Sequence, residues 1–200
     1  MLAATASAQS ARDMRITGID LRVTSGTLQL NHITSAEAYM GEDLRTVITE
    51  EIKLEARTTD ERRVIATSEQ GVVTISGDRP EETEGARPDR ETIRRYQGEF
   101  ASEAVYGDVM LQGDKAPASA EIPGESFLRS QVIIWSQRFN CVVIPTVFDQ
   151  LATLPQGGTM SLSGDALSVD RNFRRWTFYS APGKPIRLEF KPQPPVETTP

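Results

Sequence analysis

Val73-Thr74-Ile75-Ser76-Gly77-Asp78, Val109-Met110-Leu111-Gln112-Gly113-Asp114 and Met160-Ser161-Leu162-Ser163-Gly164-Asp165 share one pattern. Two apolar residues stand two apart and a Gly-Asp pair follows. A period of two places both apolar side chains, and the glycine after them, on one face of an extended strand. The glycine there leaves room or lets the chain bend. Two readings fit the pattern. Either these are three independent strand ends, since Gly-Asp suits turns, or they are strand-turn units stacked into an elongated sheet.

Working outward, alternation recurs and helical periodicity is scarce. Ile19-Asp20-Leu21-Arg22-Val23, Leu28-Gln29-Leu30 and Ile52-Lys53-Leu54-Glu55-Ala56 all alternate, and the phase slips at His32-Ile33 as at a bulge. Glu69-Gln70-Gly71, between Arg63-Val64-Ile65-Ala66 and Val72-Val73-Thr74-Ile75, reads as a hairpin turn. Residues 79–95 carry two prolines, a glycine and charges of both signs, so they read as a solvated loop or an interaction loop, with a helical turn at Glu91-Thr92-Ile93-Arg94-Arg95. Strands resume at Tyr96 and include Val132-Ile133-Ile134-Trp135 and Val142-Val143-Ile144 around the turn Gln137-Arg138-Phe139-Asn140. The regular spacing predicts an all-β sandwich, jelly roll or partly open barrel.

The bulk properties narrow the partners. Hydrophobic residues make up 38% of the 200 and charged residues 25%, enough for a core and too polar for a membrane-spanning chain. A net charge of −6 disfavours nucleic acid, whose affinity comes from basic residues displacing counterions. One cysteine and one histidine cannot build a zinc site or an internal disulfide. Cys141, inside Cys141-Val142-Val143-Ile144, reads as a small buried hydrophobe. Residues 1–13 read as a leader remnant with an A-x-A site at Ala6-Ser7-Ala8, so export is expected. Residues 14–190 read as one domain and the proline-rich 191–200 as a flexible tail.

The last hairpin fixes geometry. With Asp170-Arg171-Asn172-Phe173-Arg174-Arg175 as the connection, Val169 opposes Trp176 and Leu167 opposes Phe178, all on one face. That face is either ordinary core or a ligand wall. The other carries Ser168, Thr177 and Tyr179, acceptable to water.

This hairpin, Gly164-Asp165-Ala166-Leu167-Ser168-Val169-Asp170 with Arg174-Arg175-Trp176-Thr177-Phe178, resembles the periplasmic lipopolysaccharide-transport proteins LptC and LptA, the OstA-like family. The stretch from Ile65 to Asp78 is similar to that family's strand, turn and strand ending at glycine. The likeness spans most of residues 16–190. The charged insertion at 79–95 departs from it, and no LptC-type membrane anchor is present, which fits a truncated LptC-like chain or a soluble LptA-like one.

The resemblance implies an elongated, partly open antiparallel β-jelly roll, a twisted sheet folded over, in the periplasm. It implies a non-enzymatic carrier, without cofactor or metal, whose interior holds lipopolysaccharide acyl chains or those of a related lipid. It also implies partners: other β-jelly-roll transport proteins joined edge strand to edge strand, and a membrane-anchored complex. The groove residues expected are Val132, Ile134, Leu162, Leu167, Val169, Trp176 and Phe178, with Arg171, Arg174 and Arg175 as candidate anion contacts. The rival reading is a secreted structural or adhesive β-sandwich with a sealed core. Catalytic patterns are absent: Gly124-Glu125-Ser126-Phe127 lacks the second glycine of a nucleophile elbow, and the adjacent carboxylates Glu50-Glu51 and Glu81-Glu82 point to opposite faces if extended.

Overall fold

The computed structural model describes residues 15–25, 28–41, 44–77, 87–155 and 157–192. The expected leader, most of the first half of the 79–95 insertion and nearly all of the tail lie outside them. The chain forms β1 (Arg15–Ser25), β2 (Leu28–Met40), β3 (Thr46–Arg57), β4 (Arg63–Thr74), α1 (Arg90–Gly98), α2 (Phe100–Glu103), β5 (Val109–Gln112), β6 (Ala118–Ile122), β7 (Ser126–Ser130), β8 (Val132–Ser136), β9 (Cys141–Ile144), β10 (Phe148–Thr153), β11 (Thr159–Gly164), β12 (Ala166–Asp170), β13 (Trp176–Tyr179) and β14 (Arg187–Lys191).

β1 to β4 are a long antiparallel meander. β4 then serves two neighbours: residues 65–67 pair with β6 and residues 70–73 with β5. From there the single 14-stranded sheet divides into two arms, β5-β8-β9-β12-β13 and β6-β7-β10-β11-β14. The chain passes from one arm to the other within β5–β6, β7–β8, β9–β10, β11–β12 and β13–β14. β7–β8 and β11–β12 are separated by a single residue and read as long strands creased in the middle, whereas β5–β6, β9–β10 and β13–β14 cross by short connections.

The crease runs on into the meander. Glu51, at φ 53°, is left unpaired between Glu50↔Gln70 and Ile52↔Ser68, so the inward set shifts from Val47 and Thr49 to Ile52, Leu54 and Ala56. Bending a strand strands backbone groups, and polar side chains collect them. The Ser35 hydroxyl lies 2.6 Å from both the Glu37 and Glu50 carbonyls. The Glu69 carboxylate accepts from the Asp114 and Lys115 amides at 3.1 and 2.7 Å. The Ser130 hydroxyl meets Thr146 Oγ1 and the Val147 carbonyl, both at 2.9 Å. Glycine works at two of the corners. A Cβ on Gly113 would collide with the Ala116 carbonyl, and one on Gly164 would sit 2.9 Å from the Phe148 ring. Two of the three Gly-Asp units thus mark the fold line, while Asp78 of the third is outside the described residues.

Two neighbouring rows across the meander and the second arm show the amphipathic sheet. Leu21-Ile33-Leu54-Ala66-Ala120-Leu128-Gln150-Leu162-Leu188 lies on the inner face, in directly opposed register. One residue over, Asp20-Thr34-Lys53-Thr67-Ser119-Arg129-Asp149-Ser163-Arg187 is polar throughout and faces out. Folding at the crease brings the inner row against Val109, Trp135, Val142, Leu167 and Val169 of the first arm, in one core. Phe148 of β10 stacks on Phe178 of β13 at 6.0 Å and joins the arms.

The outer face of the first arm is covered as well. Asp89 caps α1, accepting from the Thr92 amide at 2.8 Å. Ile93, Tyr96 and Phe100 then pack on Val132, Ile134, Cys141 and Val143. Arg90 and Arg94 reach the crease and ion-pair with Asp165. Residues 90–95 are therefore a full helix rather than one turn, and Tyr96 belongs to it rather than to a strand. Glu69-Gln70-Gly71 is no hairpin turn; β4 runs straight through, and the polar interruption is the crease. The β1–β2 register shift falls at Val23/Thr24, opposite Asn31 and Gln29, rather than at His32-Ile33. Ser168 is buried, not wet, because Tyr179 and the segment leading into α1 lie over it. Among the described residues no helix is long and apolar enough to cross a membrane.

Burial alone would raise the Asp165 pKa, but the Arg90 hydrogen bond and the charges of Arg94 and Arg90 prevail and hold it below its usual value. A depressed folded-state pKa gives stability that is full above the unfolded value, about 4, and is lost as pH falls towards the folded one. Asp165→Asn should cost about 1–3 kcal/mol at neutral pH and should flatten the fall of the urea midpoint below about pH 4. Parallel acid profiles for wild type and variant would refute the clamp.

Candidate functional site

Along the inner row the cover thins in one direction. Leu128 is 2% exposed, Gln150 7%, Leu162 8% and Leu188 52%. The adjacent pair Met160↔Phe190 follows the same course: Met160 is half-buried and Phe190 is 58% exposed. Alternation in β14 sends Leu188 and Phe190 to the inner side and Arg187, Glu189 and Lys191 to the other. Two large apolar side chains therefore continue the core face past the point where the opposite arm covers it. The first arm contributes Trp176 and Phe178, both half-buried against the core.

Aromatic rings extend this wall inward. Trp135 lies 6.1 Å from Phe173, Phe173 5.9 Å from Trp176, and Trp176 stacks on Phe178 at 6.3 Å, which in turn meets Phe148. Phe173 reaches the chain of rings from the β12–β13 turn with φ 54°. The Trp176 indole N–H donates to the Phe173 carbonyl at 3.1 Å, which removes its polar edge from the apolar surface. The arrangement offers contact area and no reactive constellation.

The hairpin register expected from sequence is present: Leu167 opposes Phe178 and Val169 opposes Trp176. Leu162, Leu167, Val169, Trp176 and Phe178 all belong to or pack on the inner core. Leu167 and Val169 are fully sealed, at 0% and 1% exposure, Leu162 is buried, and Trp176 and Phe178 are half-buried. Val132 and Ile134 are placed elsewhere. Ile134 opposes Met110 and Val143, on the face beneath α1, and Ile133 and Trp135 take the inner side. All of β8 is buried, so both of its faces are apolar and sequence alternation cannot choose between them. Phe148, Met160, Leu188 and Phe190 complete the wall and were not picked out from sequence. In Leu188-Glu189-Phe190 the alternation that could have found two of them is plain.

The three arginines of the β12–β13 turn diverge. Arg171 donates to the Gln137 side-chain oxygen and, at 3.4 Å, to the Ser136 carbonyl, and burial lowers its pKa. Arg174 pairs with Asp60 in the β3–β4 turn at 3.0 Å, and Arg175 is exposed. The same β3–β4 turn holds both arms. Arg62 pairs with Glu125 of the β6–β7 turn at 2.7 Å and donates to the Asn172 carbonyl, while the Thr59 amide donates to Asn172 Oδ1 at 2.9 Å. Under the helix, Asp108 accepts from the Tyr96 hydroxyl and from the Val105 amide at 2.8 Å, and burial raises the pKa of both acids. Burial pushes the Cys141 thiol up to about 12.

No family model matches the chain, and no curated protein matches it in sequence. Among the solved structures that match in shape is LptH, described as the LptA-homologous periplasmic component of the lipopolysaccharide-transport device of Pseudomonas aeruginosa. The TM-score is 0.50 at 12% identity, over 92% of this chain and 99% of that one. The likeness is one of fold, and the fold is the partly open β-jelly roll.

The two tryptophans should report the wall separately. In Trp135→Phe the remaining Trp176 should be quenched by acrylamide several-fold more strongly than Trp135 is in Trp176→Phe. Equal quenching constants would contradict the difference in cover.

Proposed function

We propose that this protein is a non-enzymatic periplasmic carrier that holds the acyl chains of lipopolysaccharide, or of a related lipid, against the inner face of its folded sheet. The observation that carries the reading is the pair Leu188 and Phe190, more than half exposed yet continuous in register with a buried apolar core. Each CH₂ buried against such a wall is stabilised by about 0.8 kcal/mol. A chain lying along it also covers apolar surface that the protein itself leaves wet. The shared fold with a lipopolysaccharide-transport component supports this choice of ligand.

Passing the lipid on would use strand edges. Among the described residues β13 pairs only with β12, β14 only with β11 and β1 only with β2. Each presents a free row of backbone donors and acceptors to which a second β-jelly roll can add a strand. Arg175, on the turn beside the aromatic wall, is the arginine of the three best placed to meet a headgroup phosphate.

A second reading, a structural or adhesive β-sandwich, is favoured by the fully sealed stretch around Leu167, Val169 and Leu128. The two readings part at β14, where a sandwich has no use for uncovered Leu188 and Phe190.

Leu188→Arg and Phe190→Arg change exposed positions and should leave the melting temperature within a few degrees of wild type. Both should abolish crosslinking to a photoreactive acyl-chain lipid. Retained crosslinking in these folded variants would overturn the carrier reading.

A further inference from the structure

Gln150 breaks an otherwise apolar row. On the inner face it stands between Leu128 and Leu162, with Phe148 before it and Ala152 after it along β10. It is 7% exposed, and its side-chain oxygen is buried with no hydrogen-bond partner among the described residues. An uncompensated amide oxygen in an apolar setting destabilises a fold, and a leucine or methionine would fill the row without that cost. The buried polar residues at the crease differ in this respect, for Ser35 and Ser130 each have partners.

Its position is equally specific. Phe148, one step towards the crease, is sealed at 1% exposure, while Ala152 and Met160, one step towards the rim, are half-buried. Gln150 therefore stands where the sealed core gives way to the open wall. It lies two strands in from β14, about 10 Å at ordinary strand spacing.

We infer that Gln150 is a polar register point within the trough, selecting a hydrocarbon chain that carries a hydroxyl along its length. The inference rests on the carrier reading and specifies its ligand. A hydroxyl is the group that fits, since it donates to Oε1 and also accepts from the Nε2 of the same amide. A plain chain drawn past Gln150 leaves Oε1 unsatisfied and binds less tightly. The match is thus a difference between two ligands rather than a gain for all.

The full-length protein is titrated with octadecanoic, 3-hydroxyoctadecanoic and 12-hydroxyoctadecanoic acids. At least one hydroxylated chain should bind about five- to tenfold tighter than the plain one, the worth of one hydrogen bond, and the favoured isomer reports the depth of the site. In Gln150→Met that preference should vanish, the plain chain should bind at least as tightly as before, and the ligand-free melting temperature should rise. Gln150→Leu provides the same comparison if the methionine variant misfolds. If all three acids bind wild type equally, or if the preference survives both substitutions, the selective role of Gln150 is overturned and the carrier reading stands. If none of them binds, the carrier reading falls, and this inference with it.

Discussion

The structure depends on breaks in alternation that fall along one line. A strand obeying a strict period of two keeps its apolar face on one side and makes a twisted ribbon without a crease. Here the period is interrupted near Ser35, Glu51, Glu69, Gly113, Gln131, Thr146 and Asp165, on successive strands of one sheet. Because the interruptions align, the sheet bends as a whole and turns its apolar face upon itself. The energetic condition is that each bend finds partners for the backbone it disturbs. Ser35, Glu69 and Ser130 supply them from their own side chains.

The helix follows from the same geometry. Folding a sheet protects only its inside, and the outer face of a wholly apolar strand such as β8 would remain wet. The segment between β4 and β5 lies over that face and buries Ile134 and Val143 beneath Tyr96 and Ile93. Its arginines reach Asp165 on the fold line. One insertion thereby shields the first arm and braces its bend. Among the described residues the second arm has no such cover, and polar residues, among them Arg129, Asp149 and Arg187, face the solvent there.

Much of this was legible in the chain. The all-β class, the Leu167–Phe178 and Val169–Trp176 register and the significance of Gly113 and Gly164 follow from period and punctuation. Helix α1 was harder to read. Its apolar residues Ile93, Tyr96 and Phe100 have helical spacing behind an Asp89 cap, yet they sit among six charged neighbours and follow a proline-rich stretch. The polar run around Glu69 looks locally like a hairpin, because a turn and a crease both interrupt alternation. Only the partner strands tell them apart. The assignment of Val132 and Ile134 to the inner wall met the same obstacle: where both faces are apolar, side is set by tertiary pairing.

The two layers are held differently at their two margins. The fold line joins them by continuous chain on one side, whereas the opposite margin is fastened by Arg62, which bonds at once to Glu125 and to the Asn172 carbonyl. Such a fastening resembles the clasp of a book whose spine cannot open. It is ionic and partly exposed, so dissolved salt weakens it while leaving the spine untouched. Higher ionic strength should therefore loosen this margin while the shared apolar core keeps the covers together.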